Sequence, residues 1–499
     1  MGLVTKMTDL EYLKLSKLGK LRHDFLKFIM SLPGRIFGGI KGFLMMFVKI
    51  GQWFIGECSD VVMTFVKGDW KTRVSFLVMG FGSIARGQIF RGVLFLLFQT
   101  VFNLYMVNFG ISYLAKFNTL GTVETTMDLR TRVTVYGDNS FLILLYGILT
   151  IFFILAFIYT WRVNVKQNKL AQEFLAAGRK LKSAKDDIGA MLDSQFHKTL
   201  LALPVLGIFT FTVLPIVFMI LVAFTNYDAT HQSPAKLFTW VGFDNFKQLF
   251  SAGGASFGDA FGQVLLWTLI WAFFATFLNY FLGMVVAMLI NKKGIRLKKM
   301  WRTILVMTIA IPQFVSLLYV SKLFAADGLI NSMLMNWGWI SAPLPFWTDP
   351  TWAKVTVILI NVWIGIPYVM LIATGILMNI PADLYESARI DGANAFQTYY
   401  KITLPYMLFV TGPYLLTSFI GNINNFNVIY LLTQGKPDIL GNSAGATDLL
   451  ITWLYSLTVD NTDYKMAACI GIIVFVVCAV INLVIYNLIP SVKNEEDFQ

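Results

Sequence analysis

The chain has 499 residues, of which 57% are hydrophobic, 15% aromatic and only 14% charged. Soluble domains carry about a quarter charged residues, so the composition excludes an ordinary globular protein and indicates a polytopic α-helical membrane protein. The formal net charge of +12 does not point to nucleic acid, because the basic residues collect beside long apolar runs, as in the cytoplasmic loops of membrane proteins.

Residues 1–91 form a basic, amphipathic region. Lys14, Lys17, Lys20, Arg22 and Lys27 lead into Phe25–Gly56, where apolar and aromatic residues alternate with Arg35, Lys41 and Lys49. Such interruption disfavours a span and predicts helices lying against an anionic membrane surface. The Gly-rich stretch Arg73–Arg91, with Arg86 inside it, is also expected at the interface. Residues 92–198 hold two accessory spans, Gly92–Leu114 and Phe141–Trp161. A basic connector follows, with Arg162, Lys166, Lys169, Arg179, Lys180, Lys182 and Lys185. Its pattern over 167–187 predicts a cytoplasmic amphipathic helix.

Residues 199–490 read as six further spans. They are Leu200–Tyr227, Phe261–Ile290, Thr303–Phe324 (interrupted by Pro312), Val355–Met378, Pro405–Leu432 and Met466–Leu488. The basic run Lys292–Lys299 marks a cytoplasmic turn, whereas the loop 326–350 has no Lys or Arg and is expected outside. This gives about eight spans, with both termini, including the tail 491–499, in the cytoplasm. The first strong apolar run is too late and too long for a cleavable signal peptide. Cys58, Cys469 and Cys478 lack CxxC spacing and read as packing residues, and His23, His197 and His231 are too scattered to suggest a metal site.

The polar residues inside the spans are uncharged. Ion-coupled transporters commonly bury a carboxylate or histidine relay, and the spans here offer amides, hydroxyls and rings instead. Ser418, Asn422 and Asn425 fall at i, i+4 and i+7, on one helical face of the seventh span. Asn361, Trp363, Gly365, Pro367 and Tyr368 lie in the sixth span, and Pro312-Gln313 interrupt the fifth. Amides with aromatic faces suit a neutral polyhydroxylated ligand. The same residue types also serve as interhelical contacts in membranes, and Asn424 and Asn427 fit either role.

Between two spans, residues 381–405 form a polar interlude. Pro381 and Asp383 can start a short helix, Gly392 permits a tight turn, and Pro405 can begin a new helix but not continue an old one. The expectation is helix, turn, helix. The spacing of Glu386, Ser387, Ala388, Gly392, Ile402, Leu404 and Pro405 resembles the EAA signature of bacterial ABC importer permeases, with Ser387 in place of the second Ala. From about Thr199 onward the chain is similar to the larger, F-type subunit of maltose/maltodextrin permeases. The stretches Thr212–Asp228, Asn361–Met370, Asp383–Pro405, Asn424–Asp438 and Gly445–Leu450 carry that likeness.

The resemblance implies a type I ABC importer permease fold with a cytoplasmic coupling hairpin. It implies contacts to an ATPase through Glu386, Ser387, Ala388, Asp391, Gly392, Ile402, Leu404 and Pro405. It places substrate contacts at Ser418, Asn422, Asn425, Ile364, Gly365 and Tyr368, with Gln313 where the family has Ser. The family also has an aromatic where Gly421 stands and Tyr where Ile309 stands. The implied function is ATP-driven import of malto-oligosaccharides across a bacterial plasma membrane. Galacto-oligosaccharides or another plant-derived glycan are the alternative cargo. The implied partners are a second permease subunit, two ATPase subunits, an extracellular solute-binding protein and membrane lipid. No GxxxxGK[ST] loop is present, so the chain itself is expected to bind no cofactor, with ATP and Mg used by the partner. An ATP-independent secondary transporter is disfavoured by the hairpin and the uncharged spans. A membrane-embedded enzyme is disfavoured because no pair of carboxylates or metal-ligand cluster stands out.

Overall fold

The computed structural model describes residues 42, 45–128, 130, 133–251, 257–292 and 294–488. The chain divides into two compact units, Met1–Ser112 with Leu149–Gly207, and Tyr113–Ile148 with Ile208–Gln499. Helix α1 covers 45–67; the part of the expected interfacial helices before residue 42 lies outside the described residues. The long apolar helices are α2 (Ile89–Phe117), α3 (Ser140–Ala176), α4 (Phe196–Val222) and α5 (Phe257–Asn291). After them come the bent pair α6 (Lys298–Ala310) and α7 (Gln313–Leu323), then α8 (Pro350–Leu377). Next are α9 (Ala382–Ile390), α10 (Ala395–Ile423), α11 (Phe426–Leu432), α12 (Leu450–Val459) and α13 (Tyr464–Leu488). Among the described residues, seven helices can cross a membrane, or eight if α6 and α7 form one broken span. A two-stranded antiparallel sheet, β1 (Thr126–Asp128) with β2 (Val133–Val135), occupies the loop between α2 and α3.

In the first unit, the stretch expected at the interface is stitched to α3 by buried polar groups. Asn164 and Asn168 of α3 are almost fully buried. Asn164 donates to the Ser75 carbonyl at 2.9 Å and accepts from the Gly80 amide at 3.0 Å. The Arg86 side chain is 1% exposed and pairs with Asp69, while also donating to Asn168 and Thr72, each at 2.7 Å. A buried guanidinium costs little only when its donors are satisfied in this way. Gly80 has φ +83°, and a Cβ there would stand 2.0 Å from the Gly92 carbonyl oxygen, so only glycine fits. Arg162 and Lys169 of α3 hold Glu57 and Asp60 of α1.

Helix α3 runs for 37 residues. That is about 56 Å, well beyond a hydrocarbon core of about 30 Å. The amphipathic helix expected over 167–187 is therefore not separate: its first half continues the span. The helix stops where Gly178 adopts φ +71°, and a new helix starts at Ser183, whose hydroxyl forms a capping box with Asp186.

The second unit is built around α5 and α8. A Cβ on Gly283 would come within 2.6 Å of Val369, so this glycine sets how closely the two backbones approach. Trp271, Tyr280, Met284, Met370 and Met407 are fully buried between these helices and α10. Two prolines act differently from one another. At Pro312 the fifth span bends by 92°, because proline lacks an N–H and forces Ile311 into an extended conformation. At Pro405 the helix continues. Tyr399–Thr403 form a π-helical turn, whose wider ring accommodates the missing N–H, so Pro405 does not begin a new helix as expected.

Candidate functional site: coupling hairpin and polar helix faces

Helices α9 and α10 meet through a tight turn. The Ala393 amide donates to the Ala388 carbonyl at 2.8 Å and the Gly392 amide to the Arg389 carbonyl at 3.1 Å. These two bonds, with Gly392 at φ +73°, form a Schellman cap. Asn394 then opens α10 through a capping box with Gln397. Tyr385 and Thr403 join the two helices by a 3.1 Å hydroxyl contact, and Ala388 is buried beneath it. Helix–turn–helix is thus observed, with a stop and a restart fixed by named side chains.

Glu386, Ser387, Asp391, Gly392 and Pro405 are exposed on this hairpin, whereas Ile402 and Leu404 are half-buried. The sequence reading missed its apolar surface. Ile390 is 86% exposed and Phe396 69%, with the Phe396 and Tyr400 rings 4.5 Å apart. Single exposed apolar side chains are ordinary, but a cluster at the tip of a capped hairpin is what a docking surface presents.

The polar residues gather where α5, α8 and α10 meet. Asn422 of α10 donates to the Thr276 hydroxyl of α5 at 3.0 Å, and the Asn425 side-chain amide donates to the Asn422 Oδ1 at 3.3 Å. The expected face needs a correction, because α10 ends at Ile423 and Asn425 caps α11 by accepting from the Val428 amide at 3.3 Å. Asn425 reaches Asn422 across a break in the helix, not along one face. Ser418 lies one turn from Tyr414, whose ring centroid is 6.4 Å from that of Tyr368 on α8. Tyr368 is exposed, and Ile364 is half-buried against the core that holds Trp271. Gln313 stands apart: it is exposed at the first residue of α7, and among the described residues no hydrogen bond joins it to this set. Asn424 donates to the Cys478 sulfur of α13 at 3.7 Å, a helix–helix contact, while Asn427 is exposed.

Asn361, noted in the sixth span, and Asn279, which the sequence reading missed, belong with this set. Gly365 lies against the Asn279 side chain, whose amide nitrogen would be 2.4 Å from a Cβ at that position. Asn279 and Asn361 are 8% and 6% exposed. The Asn279 Oδ1 and Asn361 Nδ2 have no hydrogen-bond partner among the described residues. Buried polar atoms are rarely left unpaired, so these two amides mark a polar position within the packing of α5 and α8. An amide in the middle of an otherwise apolar span was the signal for Asn279.

The stretch Gly445–Leu450 folds back into the second unit. The Asp448 carboxylate accepts from the Gly445 amide at 2.8 Å and the Thr452 hydroxyl at 2.8 Å. Burial pushes its pKa up to about 6. Among the described residues no group of His, Cys, Asp and Glu could hold a metal ion.

Residues 279–494 match the family described as binding-protein-dependent transport system inner membrane component. The maltodextrin transport system permease protein MdxF of Bacillus subtilis is 33% identical over 441 residues, covering 87% of this chain and 98% of that protein. The chain belongs to the binding-protein-dependent transport permeases. The galactooligosaccharides transport system permease protein GanP of Bacillus subtilis is 34% identical over 423 residues, covering 84% of this chain and 97% of that protein. The maltose/maltodextrin permease protein MalF of Escherichia coli is 39% identical over 210 residues, which are 40% of each chain. A solved bacterial ABC transporter that imports alginate superposes with a TM-score of 0.48 at 24% identity, covering 60% of the permease described here and 96% of that chain. Membership makes the chain a multi-pass permease subunit of type I fold, with ATP hydrolysed by separate subunits.

Proposed function

We propose that this permease carries malto-oligosaccharides inward across a bacterial plasma membrane, as one half of a heterodimer with a second permease subunit. The observation behind this reading is the convergence of uncharged donors, acceptors and rings on α5, α8 and α10. Asn422 bonds to Thr276 and to Asn425; Asn279 and Asn361 each have a buried amide atom with no partner among the described residues, and Tyr368 and Ser418 lie along the same helices. Such a lining replaces the hydration of sugar hydroxyls and offers ring faces to their CH surfaces. Gln313 joins the pathway in this reading only in a state where α7 moves toward α10.

The coupling hairpin docks in one of two ATPase subunits, which use ATP and Mg, and an extracellular solute-binding protein delivers the sugar. Both termini lie in the cytoplasm in this arrangement. The chain binds no cofactor of its own. Sugar and ATP must favour different states of the permease for transport to be coupled.

The second reading keeps the machinery and changes the cargo to galacto-oligosaccharides, favoured by the equal similarity to GanP. Uptake of labelled maltotetraose, competed by unlabelled malto- and galacto-oligosaccharides, separates the two. Competition by the malto series alone supports the first reading; competition by the galacto series alone replaces it with the second.

A further inference from the structure

A cavity of about 480 Å³ opens in the first unit, between the first turns of α2, the last turns of α3 and the segment 180–195. Its polar side carries Arg91, Lys180 and Lys182 against the single carboxylate of Asp187. Arg91 is aimed, not loose. It donates to Gln167 at 2.9 Å and to Asp187 at 2.6 Å, and its side chain is 23% exposed. Gln88 is 8% exposed and donates to the Lys182 carbonyl at 3.1 Å, which pins the lysine segment over the opening. Lys180 and Lys182 are exposed, and neither forms an ion pair among the described residues.

The opposite wall is apolar. Leu94, Leu170, Phe174 and Met191 line it and are each between 39% and 51% exposed. Leu94, on α2, belongs to a helix that crosses the membrane, so the apolar wall is continuous with surface that faces acyl chains. A soluble anion would leave this wall bare. The chain's own N-terminal segment is a poor occupant, because Lys14, Lys17, Lys20, Arg22 and Lys27 share the sign of the rim. One class of molecule satisfies both walls: an amphiphile with an anionic head and apolar chains.

We propose that this cavity seats an anionic phospholipid of the adjoining leaflet, its phosphate against Arg91, Lys180 and Lys182 and its chains along α2 and α3. The site is independent of the transported cargo and gives the first unit a role as a lipid-held anchor.

Native mass spectrometry of the whole detergent-purified transporter, titrated with phosphatidylglycerol or phosphatidylcholine, tests this. Wild type should keep one phosphatidylglycerol in preference to phosphatidylcholine. The exposed pair Lys180→Gln with Lys182→Gln should weaken that binding by about 30-fold, the effect of two basic contacts at a membrane surface. The pair Lys185→Gln with Lys198→Gln removes the same charge outside the cavity and should leave binding unchanged. Equal loss in both pairs, no preference for the anionic lipid, or full displacement by glycerol phosphate would each overturn the proposal.

Discussion

Gly392 shapes the hairpin through backbone geometry alone. Its φ is +73° and a Cβ there meets nothing within 4 Å, so a substitution strains the turn without a clash. A β-branched side chain in that conformation costs about 1–2 kcal/mol, enough to open the cap that sets the angle between α9 and α10. Gly392→Val should insert normally yet lose ATP-driven uptake, while Gly392→Asn, which tolerates the left-handed region, should retain more; equal, normal uptake in both would remove Gly392 from coupling. Gly365 is the opposite case, with no room at all. Gly365→Val must displace Asn279, and the predicted result is loss of sugar uptake with the ATPase subunits still bound, checked by copurification beside transport.

Asp448 makes a third prediction at this scale. Its pKa of about 6, against an ordinary 3.8, means that folding favours the neutral acid. That stabilisation is complete below the unfolded pKa and is lost as pH rises through about 6. Thermal unfolding should show stability falling over this interval in wild type, and Asp448→Asn should flatten the profile. An unchanged profile in the variant would show that another group sets it.

At the scale of elements, the hairpin tip is the part most exposed to test. Ile390 and Phe396 offer apolar surface that water does not favour, and truncating anchors of this kind costs about 1–3 kcal/mol each at an interface. Ile390→Ala with Phe396→Ala should therefore release the ATPase during purification while the permease itself stays folded. Much of this element was legible in sequence, because turns are local: Gly392 announces itself, whereas the Asn394 capping box went unread. The spans were legible for the same reason, as hydropathy is a property of the segment. What escaped depends on partners distant in sequence or on backbone adjustment. Proline chemistry alone cannot say that Pro405 would be absorbed by a π turn while Pro312 bends its span by 92°. Helical spacing likewise put Asn425 on the face of Asn422, whereas the break after Ile423 makes it a cap. Arg86 looked interfacial by composition and is buried because Asp69, Thr72 and Asn168 satisfy it.

For the whole molecule, the polar helix faces and the hairpin lie on one chain of helices: α8 leads into α9, and α10 carries both the second hairpin helix and Asn422. Because α10 is continuous through Pro405, the hairpin and Asn422 share one helix with no intervening loop, and a shift of the hairpin in the proposed transport cycle would have a direct route to Asn422. Rigid elements with two arrangements are what coupling requires. The direct test is ATP hydrolysis by the complete transporter in vesicles, with its binding protein, with and without malto-oligosaccharide. Sugar-stimulated hydrolysis, with sugar accumulating only when ATP is supplied, is the predicted result. Accumulation of sugar without ATP would contradict it.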